Sequence, residues 1–147
     1  MIHPTAIIHP GAQLHESVRV GPYSVIDEHV TVGAGCELAP HVHLTGHTTI
    51  GAENRFHTGC VIGDAPQDLK YGDEPTWLII GDRNLFREHV TVHRSNTPGE
   101  DTRIGTENFF MANSHVGHNS IIGNKVILAN GVLIAGHAMI GDGAFIA

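Results

Sequence analysis

An all-β chain wound as a parallel β-helix of six-residue repeats is what three observations predict. Ile, Leu, Val or Phe recurs at every sixth position from Ile2, Gly often comes immediately after it, and the residue four places on is small or β-branched. A period of six is neither the 3.6 of a helix nor the alternation of a simple hairpin meander.

The first run fills eleven consecutive slots, from Ile2 and Ile8 to Phe56 and Ile62. The same phase returns at Ile80, Phe86 and Val92, and again from Ile104 to Ile146, so that 22 of 25 slots are apolar. Side chains an even number apart on a strand share a face, which points each slot and the residue four later inward. The second set includes Ala6, Val18, Ser24, Cys36, Val42, Cys60, Ser114 and Val126. Each hexad is then one short strand and one bend. Such units bury nothing alone and must stack, with strands ~4.8 Å apart along the axis. Glycines such as Gly33, Gly51, Gly81 and Gly105 sit where the bend crowds a side chain.

Two stretches break the period: Gly63 to Ile79 and His93 to Arg103. They place Asp68, Glu74 and Pro98 in the slots and carry turn-forming groups such as Asp64-Ala65-Pro66 and Asn96-Thr97-Pro98-Gly99. Both are expected to be loop excursions from a rigid stack, which is where binding and chemistry concentrate.

One domain spanning 1–147 is the expectation from length. The composition, 41% apolar but 5% aromatic with 18 Gly, calls for a core of small aliphatic side chains. Eight Lys+Arg against fifteen Asp+Glu, scattered rather than clustered, argue against a nucleic-acid partner. The absence of a long apolar run or a basic-then-apolar N-terminus predicts a cytoplasmic chain with no integral membrane segment. Cys36 and Cys60 fit the repeat as small buried residues and show no zinc-ligand spacing.

Thirteen histidines are present, and those at 3, 9, 15 and 57 fall one after a slot, a corner or solvent position. His93 shares that phase. The stretch Asn113-Ser114-His115-Val116-Gly117-His118-Asn119 followed by Ala135-Gly136-His137 differs. His118 and His137 lie close to one coil apart, which predicts neighbouring corners one level apart. Imidazoles gathered at one height suit metal ligation or general base chemistry. In the second case a backbone N–H beside a glycine such as Gly136 is a plausible donor to a developing oxyanion.

Ile2-His3-Pro4-Thr5-Ala6-Ile7, Thr45-Gly46-His47-Thr48, Gln67-Asp68-Leu69-Lys70-Tyr71, Gly72-Asp73-Glu74-Pro75-Thr76, Ile80-Gly81-Asp82-Arg83-Asn84, Val90-Thr91-Val92-His93-Arg94, the His115/His118 pair and Leu128-Ala129-Asn130 with Ala135-Gly136-His137 resemble the UDP-N-acetylglucosamine O-acyltransferases. The resemblance covers the whole chain. It implies a left-handed parallel β-helix and transfer of a 3-hydroxyacyl chain from acyl carrier protein to the sugar 3-hydroxyl, the first step of lipid A biosynthesis. By position His118 resembles the general base, and the backbone of Gly136 resembles the oxyanion donor. His115 and His137 resemble substrate contacts, and Gln67, Asp68 and Lys70 resemble loop residues that reach the nucleotide sugar across a homotrimer interface. No cofactor, metal or covalent intermediate is implied. The γ-class carbonic anhydrases share the hexads, but their two later metal-binding histidines are spaced differently.

Two departures from the family pattern set further expectations. Asn119 stands where the family has Asp beside the catalytic histidine, predicting slower turnover because an amide orients a ring without supplying charge. The chain also stops inside a repeat, so it is expected to be a partial chain without the family's C-terminal helical domain. The alternatives are a related hexapeptide acyltransferase using a 3-amino sugar nucleotide or acyl-CoA, and a non-catalytic β-solenoid fragment.

Overall fold

In the computed structural model, which describes every residue from Met1 to Ala147, 21 short strands form three seven-stranded parallel sheets. The first sheet stacks Ile7–Ile8, Val25–Ile26, His43–Leu44, Val61–Asp64, Thr91–His93, His115–Val116 and Leu133–Ile134. The second stacks Gln13–Leu14, Val30–Val32, His47–Ile50, Trp77–Ile80, Thr102–Ile104, Ile121–Ile122 and Met139–Ile140. The third stacks Arg19–Val20, Glu37–Leu38, Arg55–Phe56, Leu85–Phe86, Phe109–Phe110, Ile127–Leu128 and Phe145–Ile146. Successive strands visit the three sheets in turn, so the chain winds as a three-sided, left-handed parallel β-helix.

The slot residues set the register. On the first face Ile26 pairs with Leu44, Leu44 with Ile62, Ile62 with Val92 and Val92 with Val116. All of these are buried. On the third face Phe56, Phe86 and Phe110 stack inward at centroid separations of 4.8 and 5.1 Å. These three adjoining rings, of the five Phe in the chain, interrupt an otherwise aliphatic core. The side chains four residues after the slots complete that core, among them Cys36, Cys60, Val90 and Val126.

The edge between the second and third faces is closed by an internal polar ladder. Asn54 Oδ1 accepts from the Asn84 main-chain N–H (2.9 Å), Asn84 Oδ1 from the Asn108 N–H (2.9 Å), and Asn108 Oδ1 from the Val126 N–H (2.7 Å). Each asparagine is buried, and each amide NH2 donates to a glycine carbonyl at the corner, those of Gly81, Gly105 and Gly123. Corner N–H and C=O groups that no sheet can pair are thereby satisfied. Side chains from the coil above also pack over the bend: a Cβ on Gly105 would collide with Asn124 Oδ1 and the Gly123 carbonyl oxygen, which explains a glycine there.

The ladder also measures the coils. Its steps are 30, 24 and 18 residues, so two coils carry additional chain. That chain leaves the prism after Asp64 and returns at Trp77, then leaves after His93 and returns at Thr102. Both excursions depart from the edge between the first and second faces, on successive coils. The bend Gly117–Ser120 occupies the same edge one coil further along, and Ala135–Ala138 the next.

Candidate active site

Winding alone gathers the candidate residues. Because the excursions and the two following bends share one edge, Gln67, Asp68, Asn96, His118 and Gly136 form a column although they are far apart in sequence. An open cleft of about 560 Å³ runs beside this column over the first face, lined by Gln67, Thr91, His93, His115, His118 and Gly136, among others.

His118 lies at the bend after His115–Val116, half-buried, with its Nδ1 2.9 Å from Asn119 Oδ1. The orientation of the Asn119 amide is assigned from its other partner. The main-chain N–H of Asn96 donates to the same Oδ1 at 3.0 Å, so the amide oxygen must lie on that side; the flipped amide would set an NH2 against an N–H. With the amide set this way, Nδ1 is the ring nitrogen that donates to Asn119, and Nε2 points away from it. Asn119 is itself fixed through its own N–H, which donates to Thr102 Oγ1 at 2.8 Å. The Asn119 amino group is buried without an acceptor.

Nε2 lies on the side of Gly136. A Cβ on that residue would stand 2.8 Å from His118 Nε2 and 2.9 Å from Cε1, so only glycine leaves the ring its place. The Gly136 N–H has no acceptor within the chain. The His118 ring and a residue with an unspent backbone donor are thus packed side by side on the cleft wall.

His115 is on the same first-face strand, with its Nδ1 2.7 Å from Thr91 Oγ1 on the coil below. Burial lowers its pKa, partly offset by Thr91, with the neighbouring His118 pushing in the same direction as burial. His93 was missed as a site residue by the sequence. Its ring packs edge-on against His115 at 4.6 Å, its Nδ1 is buried with no partner, and burial, aided by His115, holds its pKa down at about 4. Both rings are therefore neutral near pH 7. The available signal was the repeat phase: with the excursion removed, His93 and His115 fall on adjacent coils of one face.

The remaining candidates divide. Gln67 reaches the cleft. Asp68 stands at its margin, with one carboxylate oxygen accepting from the Lys70 N–H at 3.0 Å and the other from Asn96 Nδ2 at 2.7 Å. These two donors, the first foremost, hold its pKa below the usual carboxylate value. Lys70 is exposed and outside the cleft lining, and Leu69 beside it is wholly exposed. His137 shares the edge of His118 rather than occupying a neighbouring corner: its N–H donates to the His118 carbonyl at 2.9 Å and the rings meet edge-on at 5.1 Å. It is turned away from the cleft, into a separate depression with Glu100, Asp101 and Arg103. No group of three or more His, Cys, Asp or Glu side chains is arranged to hold a metal ion.

The family model for "Bacterial transferase hexapeptide (six repeats)" matches residues 11–46 and 101–136. An acyl-[acyl-carrier-protein]–UDP-N-acetylglucosamine O-acyltransferase from Saccharophagus degradans is 50% identical over 119 residues, 80% of this chain and 46% of the relative. Among solved structures, the UDP-N-acetylglucosamine O-acyltransferase of Moraxella catarrhalis superposes with a TM-score of 0.94 at 41% identity, covering 98% of this chain and 56% of the other. The UDP-N-acetylglucosamine acyltransferase of Francisella novicida gives 0.96 at 37% identity, covering 99% and 53%. The chain spans about half the length of the relatives it matches.

Proposed function

We propose that the chain is a part of a UDP-N-acetylglucosamine O-acyltransferase, and that it carries the catalytic edge for transfer of a 3-hydroxyacyl chain from acyl carrier protein to the 3-hydroxyl of UDP-N-acetylglucosamine, the first step of lipid A biosynthesis. The observation that carries the reading is the close packing of the His118 ring on Gly136, whose N–H has no acceptor within the chain, on the wall of one cleft.

His118 Nε2 takes the proton of the sugar hydroxyl as its oxygen attacks the thioester carbonyl. The carbonyl oxygen, becoming an oxyanion, accepts a hydrogen bond from the Gly136 N–H. Collapse breaks the carbon–sulfur bond, and the imidazolium returns the proton to the departing thiolate. Asn119 holds the ring in the tautomer this requires, Gln67 and Asp68 hold the nucleotide sugar, and the neutral His93 and His115 form the wall behind it.

The cleft is open on one side, and a second copy of the chain supplies the missing wall. Leu85, Phe109, Ile127 and Phe145 form a registered, outward-facing apolar stripe on the third face, and Leu69 projects from the first excursion. Both features suit the homotrimer implied by the family resemblance, acting in the cytoplasm; sedimentation showing monomer alone would count against a working site.

Free thiol is the readout that tests the reading. Acyl carrier protein thioester with UDP-N-acetylglucosamine should release thiol, whereas acyl-CoA or a 3-amino sugar nucleotide should support less. His118→Ala should remove most of the rate, about 10²-fold or more for a general base. Ligand binding without thiol release in the unsubstituted protein would reduce the chain to a binding scaffold.

A further inference from the structure

We propose that Asn96 is a positioning residue that ties the loop bearing Asp68 to the imidazole of His118, so that seating of the nucleotide sugar and alignment of the base are coupled. This rests on the acyltransferase reading above and adds a component to it.

Three hydrogen bonds fix Asn96. Its Nδ2 donates to Asp68 Oδ2 at 2.7 Å, its main-chain N–H donates to Asn119 Oδ1 at 3.0 Å, and its Oδ1 accepts from Thr97 Oγ1 at 2.7 Å. The turn that presents it is braced by Ser95, buried, whose hydroxyl donates to the Thr97 carbonyl and accepts the Thr97 N–H. Asn119 passes the connection on to His118 Nδ1 at 2.9 Å. The fold makes this path short: the excursions leave the same edge on successive coils, which puts the second between the first and the His118 bend.

Asp68 has its two oxygens committed to Lys70 N–H and Asn96 Nδ2, so a displacement of Asp68 by a sugar hydroxyl or phosphate pulls on Asn96. A displaced Asn96 withdraws the donor that orients the Asn119 amide. With that donor lost, the amide is free to flip, and His118 is no longer held with its proton on Nδ1. A contiguous polar path of this kind is a claim of coupling, and reciprocal substitution measures it.

Asn96→Asp is nearly isosteric, keeps the acceptor for Thr97, and sets a carboxylate against Asp68. In the family assay it should lower kcat on the order of tenfold. In protein with 15N-labelled histidine, the His118 ring nitrogens, assigned by their loss in His118→Gln, should move from the values of an Nδ1-protonated tautomer toward averaged ones. Adding Asp68→Asn restores the hydrogen bond with its polarity reversed, because the new amide donates to the new carboxylate. The double variant should recover kcat to within about threefold of the unsubstituted protein and regain the nitrogen signals, while KM for the nucleotide sugar stays raised for want of the Asp68 charge.

A merely structural brace would alter stability or KM and leave the tautomer alone. Wild-type kcat and nitrogen shifts in Asn96→Asp, or a double variant no better than the worse single one, would overturn the proposal. The nitrogen signals need no turnover: a response in protein that transfers no acyl chain upholds the link and removes the proposed reaction, and an unresponsive ring in active protein does the reverse.

Discussion

Asn119 holds its amide oxygen between two donors, the His118 ring and the Asn96 main chain, and buries its amino group with no acceptor. The first half of that arrangement gives His118 the tautomer of a base. The second leaves an unpaired donor where a carboxylate would have charge to offer the imidazolium. Asn119→Asp keeps both accepted hydrogen bonds and should raise turnover, by about tenfold if charge on the orienting group matters as it does for other His-based sites; an unchanged or lower initial rate would show that orientation alone suffices. His93 makes a prediction of the opposite kind, about acid. Its pKa of about 4 in the fold lies below the ordinary histidine value, so the unfolded chain binds more protons between those limits. Stability supplied by neutral His93 is complete above about pH 6.5 and is lost as pH falls toward 4. Urea midpoints measured at pH 7.5 and 5 should therefore draw closer in His93→Gln than in the unsubstituted protein.

At the scale of elements, the buried asparagine ladder substitutes for hydrogen bonds that strands of two to four residues cannot make at a corner. Asn84 is its centre, donating to the Gly105 carbonyl and Asn54 and accepting from Asn108. Asn84→Ala leaves several of those groups buried and unpaired, at a cost of about 2–4 kcal/mol, visible as a clear fall in Tm. The strands themselves were legible because a narrow triangular core admits only apolar side chains at each recurring position, and that constraint appears directly as a period. Gln67, His115, His118 and Gly136 were legible as a group through the motifs they sit in, and the structure brings them to one cleft. The contacts made by Asn96 were not legible, since residues off the prism obey no period and its partners Asp68 and Asn119 come from another excursion and from a bend of the next coil. His137 shows the limit from the other side: a spacing near one coil gives its level correctly, but only the winding fixes which edge it occupies and that its ring turns from the cleft.

In the whole molecule each coil touches only the coils above and below, so stability accumulates by neighbour contacts along one axis. Removing residues 21–38, one coil step of 18 residues as spanned by the Ser24–Val42 hydrogen bond, joins Val20 to Ala39 in phase. The shortened chain should still melt cooperatively by far-UV circular dichroism, at a lower Tm. Leaving a single one of those residues in place shifts every later side chain of the coil to the wrong face and should abolish the transition.

The column of reactive groups along one edge has a geometric consequence of its own. Groups on successive bends are related by translation along the axis, in steps of ~4.8 Å, with little change in the direction they face. A substrate lying lengthwise against that edge therefore meets protein chemistry as evenly spaced marks on a ruler, and specificity becomes a matter of distance along a line. Moving one functional side chain up or down by a coil would shift which bond of the substrate is addressed while preserving the angle of approach, a form of variation that a pocket closed on all sides does not permit.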